Sequence, residues 1–355
     1  MKPGLLLLLT LVVCGACTPL LPASDVPGTA VGAETSPSPW DPFKINSRLG
    51  RGVNLGNALE APREGEWGMT LDESYFRLIA DAGFDSVRIP IRWSAHAGDE
   101  APYTIDPGFF ERLDWAVDRA LANGLLPIVD LHHYEEMAIN PDDHRERFLA
   151  LWRQIAEHYR DAPPEVVFEL MNEPNGAMTR TRWNDLIAAA LPVIRESNPQ
   201  RTVIIGPAGW YGINELAGLK LPESDRNIIA SVHYYSPFEF THQGAEWVDG
   251  SDAWLGTTWR GTEAQRAVVS ADLSRAAQWG REHDRPLYLG EFGAYSKADM
   301  GSRARWTEHV ARSAEALGMS WGYWEFGAGF GVYDRTLRRW TEDLLRALIP
   351  EADSR

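Results

Sequence analysis

Two glutamates in this sequence follow apolar stretches and carry the side chains needed for acid–base and nucleophilic chemistry. Glu173 follows the run VVFELMN, which begins at Val166, and Glu291 lies in the run PLYLGEFG. Glutamate is rarely buried without a partner, so one at the end of a core strand lies at a surface edge or takes part in chemistry. Two carboxyl groups that face one pocket can cleave a glycosidic bond, because one protonates the leaving oxygen while the other attacks the sugar carbon.

The segments that carry these glutamates belong to a regular alternation of short apolar runs and longer segments of helical period. This alternation is typical of βα units and a parallel sheet. The apolar runs begin at Arg51, Asp85, Leu126, Val166, Thr202, Ile228, Pro286 and Met319. Glycine stands where helices are expected to end, at Gly83, Gly124 and Gly318. We therefore predict an α/β fold that is a single (β/α)8 TIM barrel. A doubly wound sheet is the alternative, but no G-x-G-x-x-G motif follows the first run.

In such a barrel the carboxyl ends of all strands form one rim, and active sites lie there. Candidate functional side chains follow the predicted strands, and only the fifth strand, which ends near Trp210, lacks an obvious titratable group. They are Asn54 and Asn57, Arg88, His132 and His133, Asn172 and Glu173, His233 and Tyr235, Glu291, and Trp324 and Glu325. Capping or solvent exposure explains one or two such strand ends, but not so many on one rim.

Other chemistries fit the same residues less well. Aspartic-protease chemistry uses two aspartates in a β-rich fold, and enolase-type chemistry needs several carboxylate metal ligands at successive strand ends. The pair His132–His133 could bind a metal only with a further ligand at suitable spacing. We therefore predict no metal and no cofactor. A pair of salt-bridged rim glutamates without a catalytic role remains the structural alternative.

The motifs around these residues resemble glycoside hydrolase family 5. The shared motifs are VRIP with Arg88, NEP from Asn172, H-x-Y from His233 and GEFG with Glu291. Longer stretches resemble endoglucanases of that family from hyperthermophilic bacteria, and the similarity extends from Pro42 to Ile349. These stretches are GNALEAP, DLHHYEEM, HYYSPFEFTHQGAEWVDGSDAWLG and YWEFGAGFGVYD.

The resemblance implies a retaining double displacement, with Glu173 as acid/base and Glu291 as nucleophile. Physical chemistry supports these roles, because an acid must be protonated and the charge of Glu291 would raise the pKa of Glu173. We expect Tyr235 and Arg88 to donate hydrogen bonds that keep Glu291 ionised. Asn172, beside the acid, is expected to bond the sugar 2-OH.

The remaining candidate residues are expected to bind substrate or to support the catalytic pair. By resemblance, His132 belongs to the catalytic shell and His133 reaches the next subsite, while His233 orients the acid or bonds a sugar hydroxyl. Asn57 and Glu60 are expected to bond hydroxyls on the glycone side. Trp324 is expected to stack on a sugar ring.

Aromatic residues divide into a packing group and a group in one long loop. Five tryptophans at helical spacing are expected to pack in the core: Trp115, Trp152, Trp183, Trp279 and Trp306. The loop from Ser236 to Gly261 is long enough to suggest a function. We expect its His242 and Trp247 to line the cleft, whereas Trp254 and Trp259 either brace the loop or line the cleft.

The N-terminal residues have the pattern of an export signal. An apolar stretch from Leu5 to Val13 is too short to span a bilayer as a normal helix. Gly15 and Ala16 precede Cys17 as in a bacterial lipobox, so we expect Cys17 to be lipidated, with ordinary signal cleavage nearby as the alternative. The remaining chain has no cysteine, and therefore no disulfide and no thiol nucleophile.

These features define three segments: a signal at residues 1–17, a flexible linker at 18–40 rich in Pro, Ser, Ala and Gly, and the (β/α)8 catalytic domain at 41–355. The formal charge of −16 argues against a nucleic-acid partner, which requires a basic surface. We expect a monomer that is exported, either to the cell envelope through its lipid or into the medium.

The predicted activity is that of a retaining endo-β-1,4-glucanase acting on β-glucan polysaccharides or oligosaccharides. A β-mannanase or a dual glucanase/mannanase is the nearest alternative, since it differs only at the 2-OH of the sugar. A noncatalytic glycan-binding lipoprotein on the same fold is the alternative from another class. A pure binder would not need both Glu173 and Glu291.

Overall fold

A computed structural model of the chain describes residues 38–350, and within them eight parallel strands close into a barrel in chain order. The last strand pairs with the first, so the barrel has no open edge. The strands are β1 Arg51–Asn54, β2 Ser86–Ile91, β3 Leu126–Leu131, β4 Val167–Glu169, β5 Val203–Ile205, β6 Ile228–His233, β7 Leu287–Phe292 and β8 Ser320–Tyr323. Each strand lies in one of the eight predicted runs, and the predicted TIM barrel is confirmed.

Helices surround the barrel and connect its strands. They are α1 Pro42–Leu49, α2 Glu73–Asp81, α3 Pro107–Ala122, α4 Glu135–Ile139, α5 Pro141–His158, α6 Arg180–Ser197, α7 Phe238–Thr241, α8 Glu263–Glu282, α9 Met300–Ala316 and α10 Glu342–Leu348. The connection from β5 to β6 differs from the regular pattern, because it contains only the 3₁₀ helix Ile213–Gly218. This connection is rich in Gly and Pro, which disfavour an α-helix.

Local sequence signals explain where the helices begin and end. Asp106 precedes α3 and its side chain accepts a hydrogen bond from the backbone N–H of Gly108. Thr262 and Gln265 form a reciprocal capping box at the start of α8. Gly124, after α3, has a φ of +77°, a left-handed conformation that glycine adopts at little cost.

The interior of the barrel changes from apolar to charged along its axis. Near the amino ends of the strands, Ile45 and Leu49 of α1 pack against inward-facing residues such as Ile128. Two residues further along β3, on the same face, lies the buried Asp130. Glu169 occupies the corresponding place after Val167 on β4. Along the barrel axis, an apolar layer near the amino ends of the strands is therefore followed by a charged layer just below the rim.

Most of the tryptophans predicted to pack in the core do so. Trp152, Trp183 and Trp306 are fully buried, and Trp279 is nearly so. Trp115 is partly buried against the core and lies under the guanidinium of Arg112, at 4.0 Å.

The predicted signal, the lipidation site Cys17 and nearly all of the predicted linker lie outside the described residues. The last linker residue, Trp40, lies near the barrel wall, with the Arg201 guanidinium 5.1 Å from its ring. Between residues 38 and 350, no helix combines the length and the apolar character needed to cross a membrane.

Candidate active site

Barrel closure brings the two glutamates of the sequence prediction to the same mouth. Glu173 follows β4 with a φ of +43°, and Glu291 lies in β7. One carboxylate oxygen of each glutamate and a ring nitrogen of His233 all lie within 4.8 Å of one another. Retaining glycosidases hold their carboxyl groups about 5–5.5 Å apart, whereas inverting ones leave about 6.5–9.5 Å for a water. The short separation favours the retaining arrangement.

A local irregularity in β7 presents Glu291 to this mouth. Val232 of β6 pairs with Leu289, but the next residue, His233, pairs with Glu291, so that Gly290 is an extra residue in β7. Such a bulge changes the direction in which the following side chain points. His233 and Glu291 therefore become partners across the two strands.

Arg88 is the fully buried centre of a network below Glu173 and Glu291. Its guanidinium donates to Glu291 Oε1 at 2.7 Å, to Asn172 Oδ1 at 2.8 Å and to Asn54 Oδ1 at 2.9 Å. It also pairs with both oxygens of Glu169, at 2.6 and 2.9 Å. A planar guanidinium held in this way has a fixed orientation, and it holds the Glu291 carboxylate in place.

The sequence analysis missed two members of this network, Asp130 and Glu169. Both are fully buried, and Asp130 Oδ2 lies 3.0 Å from Arg88 Nη2. A signal for them was present, because each is a lone carboxylate within an apolar run, in LPIVDL and VVFEL. A charge inside a predicted core strand requires a buried partner, and Arg88 was the candidate.

Glu173 has the protonation behaviour expected of a general acid, but for a different main reason than the one predicted. The pKa of Glu173 is raised to about 8, mainly by burial; the charge of Arg88 lowers it and the smaller effect of Glu169 raises it. The predicted cause was the charge of Glu291. Removal from water is the larger effect here because the carboxyl group lies in a buried mouth lined with aromatic rings.

Glu291 makes both of the predicted contacts. Tyr235 donates its hydroxyl to Glu291 Oε2 at 2.9 Å, and Arg88 donates to the other oxygen. Burial raises the pKa of Glu291 above its usual value, and Arg88 and the Tyr235 hydrogen bond oppose this shift. These two contacts favour the ionised form that a nucleophile requires.

His233 contacts the acid rather than the solvent. Its Nδ1 lies 2.7 Å from Glu173 Oε1 and 3.7 Å from Glu291 Oε2. Burial lowers the pKa of His233 to about 4, so that the imidazole is neutral near pH 7. The sequence analysis predicted that His233 either orients the acid or bonds a sugar hydroxyl. Its contact with Glu173 agrees with the first role.

The adjacent histidines both reach the cleft. The Nδ1 atom of His132 lies 2.5 Å from Asp130 Oδ2, and its ring is parallel to that of Trp324 at 5.6 Å. His133 lies edge-on to Trp67, with ring centroids 5.5 Å apart. Burial lowers the pKa of His133 to about 3. Neighbouring strand residues normally face opposite ways, but β3 ends at Leu131, before both histidines.

Glu173 and Glu291 lie in a cleft of about 960 Å³ at the rim. Of the residues predicted from the sequence, these line it: Asn57, His132, His133, Asn172, Glu173, His233, Tyr235, His242, Trp247, Glu291 and Trp324. Arg88 lies beneath the cleft, fully buried, and acts on it through Glu291 and Asn172.

The prediction that Glu60 bonds sugar hydroxyls is wrong. Glu60 is only 1% exposed, and its carboxylate accepts hydrogen bonds from the backbone N–H groups of Asn57 and Ala58. Its role is to hold the loop that presents Asn57, whose φ is +65°. Glu325 has a similar role after β8, since its carboxylate accepts from the backbone of Ala328 and Phe330.

The long loop after β6 separates into an exposed and a packed part. Trp247 is 60% exposed and lines the cleft, as predicted. Trp259 is 1% exposed and packs inside, and Trp254 contacts Phe238 edge-on at 6.0 Å without lining the cleft. Both therefore brace the loop.

The sequence analysis also missed aromatic residues of the cleft. Trp67 after β1 and Trp210 after β5 are exposed and line it. Phe238, Tyr295 and Phe330 line it as well. Trp210 follows the strand for which no titratable group was identified. It was missed because candidate residues were chosen mainly by their charge.

Replacing Trp324 by alanine should reduce kcat/KM on glucan without unfolding the barrel. Its ring lies parallel to His132 beside the catalytic pair, so it offers a flat apolar face to a sugar. Losing that contact should lower kcat/KM about tenfold or more. Steady-state kinetics and thermal unfolding of Trp324→Ala check this, with Trp67→Ala as a comparison at another tryptophan of the cleft. A less stable variant with unchanged activity per folded molecule would show that Trp324 only packs.

The three groups Glu173, His233 and Glu291 could in principle offer atoms to a cation. His233 Nδ1, however, is already bonded to Glu173, and both oxygens of Glu291 are bonded to Arg88 and Tyr235. A cation would have to compete with Arg88 for Glu291. The contacts of these groups therefore suit acid–base and nucleophilic chemistry better than metal binding.

The chain is similar in sequence and in structure to several known proteins. The family model described as cellulase (glycosyl hydrolase family 5) matches residues 49–329. Crystal structures of Thermotoga maritima Cel5A with mannotriose and with cellobiose are each 50% identical to the chain, with a TM-score of 0.86, covering 87% of this chain and 100% of theirs. The cellulose synthase subunit Z of Clostridioides difficile is 40% identical, with a TM-score of 0.82, covering 85% and 99%.

Curated relatives are also similar to the chain, but they are longer. Endoglucanase H of Acetivibrio thermocellus is 36% identical over 328 residues, which is 90% of this chain and 35% of that protein. The chain therefore spans about a third of the length of the first curated relatives that it matches.

Proposed function

Because the chain belongs to glycosyl hydrolase family 5, we propose that it is a retaining endo-β-1,4-glucanase that hydrolyses internal bonds of cellulose and related β-glucans. The observation that carries this proposal is the approach of Glu173 and Glu291, whose nearest carboxylate oxygens lie within 4.8 Å at the rim of the barrel. The reaction needs no cofactor, because one carboxyl group can protonate the leaving oxygen and the other can act as the nucleophile.

In the first step, a carboxylate oxygen of Glu291 forms a bond to the sugar C1 as the glycosidic bond breaks. The leaving oxygen takes the proton of Glu173, so that Glu173 becomes a carboxylate and Glu291 an ester. In the second step, Glu173 takes a proton from a water whose oxygen attacks C1, and the ester bond breaks. Two displacements at C1 return the original anomeric configuration.

The buried network suits the movement of charge in these steps. Before attack, Arg88 and Tyr235 hold the negative charge on Glu291; after attack, the negative charge is on Glu173. Burial raises the pKa of Glu173 to about 8. Glu173 is therefore protonated near pH 7 in the free enzyme and ready to act as an acid.

The position of the aromatic residues supports internal cleavage of a chain. Trp67 follows β1 and Trp210 follows β5, which are on opposite sides of an eight-stranded barrel, while Trp247 follows β6. Aromatic surfaces on both sides of the catalytic pair allow a polysaccharide to continue in both directions from the cleaved bond. A pocket for a chain end would be closed on one side.

A mannanase or a dual activity is the second candidate, because similar structures were determined with mannotriose and with cellobiose. Glucose and mannose differ in the orientation of the 2-OH, and Asn172, held by Arg88, is the side chain next to the acid. We propose that glucan is the preferred substrate.

A substrate panel tests this proposal. Carboxymethyl cellulose, lichenan, glucomannan, galactomannan, xyloglucan and xylan would be compared by reducing-sugar release and loss of viscosity. A rapid fall in viscosity with few new reducing ends on carboxymethyl cellulose is expected for internal cleavage. Higher activity on galactomannan would favour the mannanase, and binding without cleavage of any polymer would favour the noncatalytic alternative.

We further propose that the protein is exported and anchored by a lipid on Cys17. The support is the order of an apolar stretch, Gly15, Ala16 and Cys17 in the sequence. Wild-type protein expressed in a bacterium should sediment with membranes, and Cys17→Ala should be released or misprocessed. Intact mass of the mature protein provides the measurement, and a fully soluble wild type with an unmodified N-terminus would contradict the lipid.

A further inference from the structure

The acid Glu173 lies on a short stretch of backbone that has left the regular sheet. Strand β4 ends at Glu169, and Glu173 has a φ of +43°, a left-handed conformation that is uncommon for residues other than glycine. Such a conformation persists only where the surrounding structure holds it. The contacts of the residues on either side of Glu173 therefore decide where its carboxyl group points.

These neighbouring residues are held by the connection that follows β5. The hydroxyl of Tyr211 donates to the carbonyl of Met171, two residues before the acid, at 2.5 Å. The backbone N–H of Gly209 donates to the carbonyl of Pro174, directly after the acid, at 2.7 Å. One short segment therefore brackets Glu173 with a hydrogen bond on each side.

The bracketing segment has a well-defined shape of its own. Gly209, Trp210 and Tyr211 have φ values of +90°, +62° and +54°. The Tyr211 side chain is fully buried, and a β-carbon built on Gly206 would lie only 2.5 Å from its ring. The ring therefore packs directly against bare backbone, which fixes the direction of its hydroxyl.

Tyr211 also contacts the histidine that bonds the acid. The backbone N–H of His233 donates to the Tyr211 carbonyl at 3.0 Å, and the two rings meet at a steep angle with centroids 4.9 Å apart. His233 Nδ1 in turn lies 2.7 Å from Glu173 Oε1. Tyr211 is thus bonded both to the backbone that carries the acid and to the residue that orients it.

Neighbouring strands hold this stretch through its N–H groups. Leu170 donates to β5 at 3.0 Å, and Asn172 donates to β3 at 2.8 Å. No backbone N–H among residues 38–350 donates to the Met171 carbonyl, so the Tyr211 hydroxyl is its donor in that part of the chain. A buried carbonyl without a donor is costly, so loss of this hydroxyl should let the backbone before the acid shift.

We propose that Tyr211 is a positioning residue for the acid/base: its buried hydroxyl fixes the backbone before Glu173 and thereby places the carboxyl group where it can protonate the leaving oxygen. This inference rests on the proposed function, in which Glu173 is the proton donor. It adds to that function a residue that does not touch the sugar and that acts through the acid.

Tyr211→Phe tests the proposal, because it removes the hydroxyl and keeps the ring. On cellotetraose it should lower kcat/KM about tenfold, mostly through kcat, because a displaced acid protonates the leaving oxygen poorly. On dinitrophenyl β-cellobioside, whose leaving group needs no proton, kcat/KM should change less than about twofold. A loss of stability alone would affect both substrates equally.

Tyr159→Phe is the matched control. Tyr159 is another buried tyrosine, and its hydroxyl donates to Asp114 at 3.0 Å just after α5, without lining the cleft. This variant should leave kcat/KM on both substrates unchanged. If Tyr211→Phe behaves like Tyr159→Phe, or loses activity equally on both substrates, the proposal is overturned.

Titration of active sites separates the expected result from poor folding. A fluorinated dinitrophenyl cellobioside, whose ester turns over slowly, reacts with Glu291 without needing an acid, so the dinitrophenol released counts the competent molecules. Expressed per titrated site, Tyr211→Phe should still show the selective loss on cellotetraose. Disappearance of the loss would show that Tyr211 only stabilises the fold and would overturn the proposal. Absence of glycosidase activity in the wild type would instead refute the proposed function.

Discussion

Glu291→Ala should abolish turnover of glucan, with kcat reduced by about 10⁴-fold or more. The reason is that the other carboxylates bonded to Arg88 in the described part of the chain, Asp130 and Glu169, are fully buried below the cleft and cannot replace Glu291 in forming the glycosyl ester. With azide and an aryl cellobioside, this variant should form a glycosyl azide of inverted configuration, because a small anion replaces the nucleophile in a single displacement. Kinetics and product NMR provide the measurements.

Glu135→Ala is the matched control for this variant. Glu135 also lines the cleft, but its carboxylate is exposed and pairs with Arg92 at 2.7 Å, outside the Arg88 network. Its removal should change kcat by less than about fivefold, as for a surface ion pair. Substantial turnover by folded Glu291→Ala would show that the nucleophile has been assigned wrongly.

Glu173→Ala should show a strong dependence on the leaving group. Cellulose needs a proton on its leaving oxygen, so kcat should fall by about 10²–10⁴-fold, the usual contribution of a general acid. An aryl cellobioside with an acidic phenol should form the ester with little loss, and the second step should then be slow because no base activates water. Added azide should rescue that step and yield a β-glycosyl azide.

The two glutamates are distinguished by the configuration of these azide products. Glu173→Ala should retain the configuration, since azide attacks the ester formed on Glu291, whereas Glu291→Ala should invert it. Equal losses on cellulose and on the activated substrate, with no azide rescue, would be inconsistent with an acid/base role for Glu173.

The barrel was predictable because its strands obey simple rules. Runs such as LPIVDL are buried on both sides and therefore apolar, and helices between them begin at caps and end at glycine. The β5–β6 connection was less predictable, since its Gly- and Pro-rich sequence forms only a 3₁₀ turn. An irregular connection has neither helical nor strand periodicity, so its sequence shows no pattern from which its structure could be predicted.

The candidate site was predictable in part because residues at strand ends converge whatever their separation along the chain. Glu60 was misjudged because a short loop can turn a carboxylate back onto its own N–H groups, which sequence alone does not show. Asp130 and Glu169 were overlooked because they lie within the predicted apolar runs rather than after them. The cause of the Glu173 pKa was misjudged because burial depends on how surrounding loops pack.

The measurement that tests the central claim most directly is the configuration of the first product. Proton NMR would follow hydrolysis of a cellooligosaccharide by the wild-type protein, fast enough to precede mutarotation. Because Glu173 and Glu291 lie close enough for direct attack on C1, we predict that the β-anomer forms first and the α-anomer appears only by mutarotation. Initial formation of the α-anomer would contradict the double displacement and the assignment of Glu291 as nucleophile.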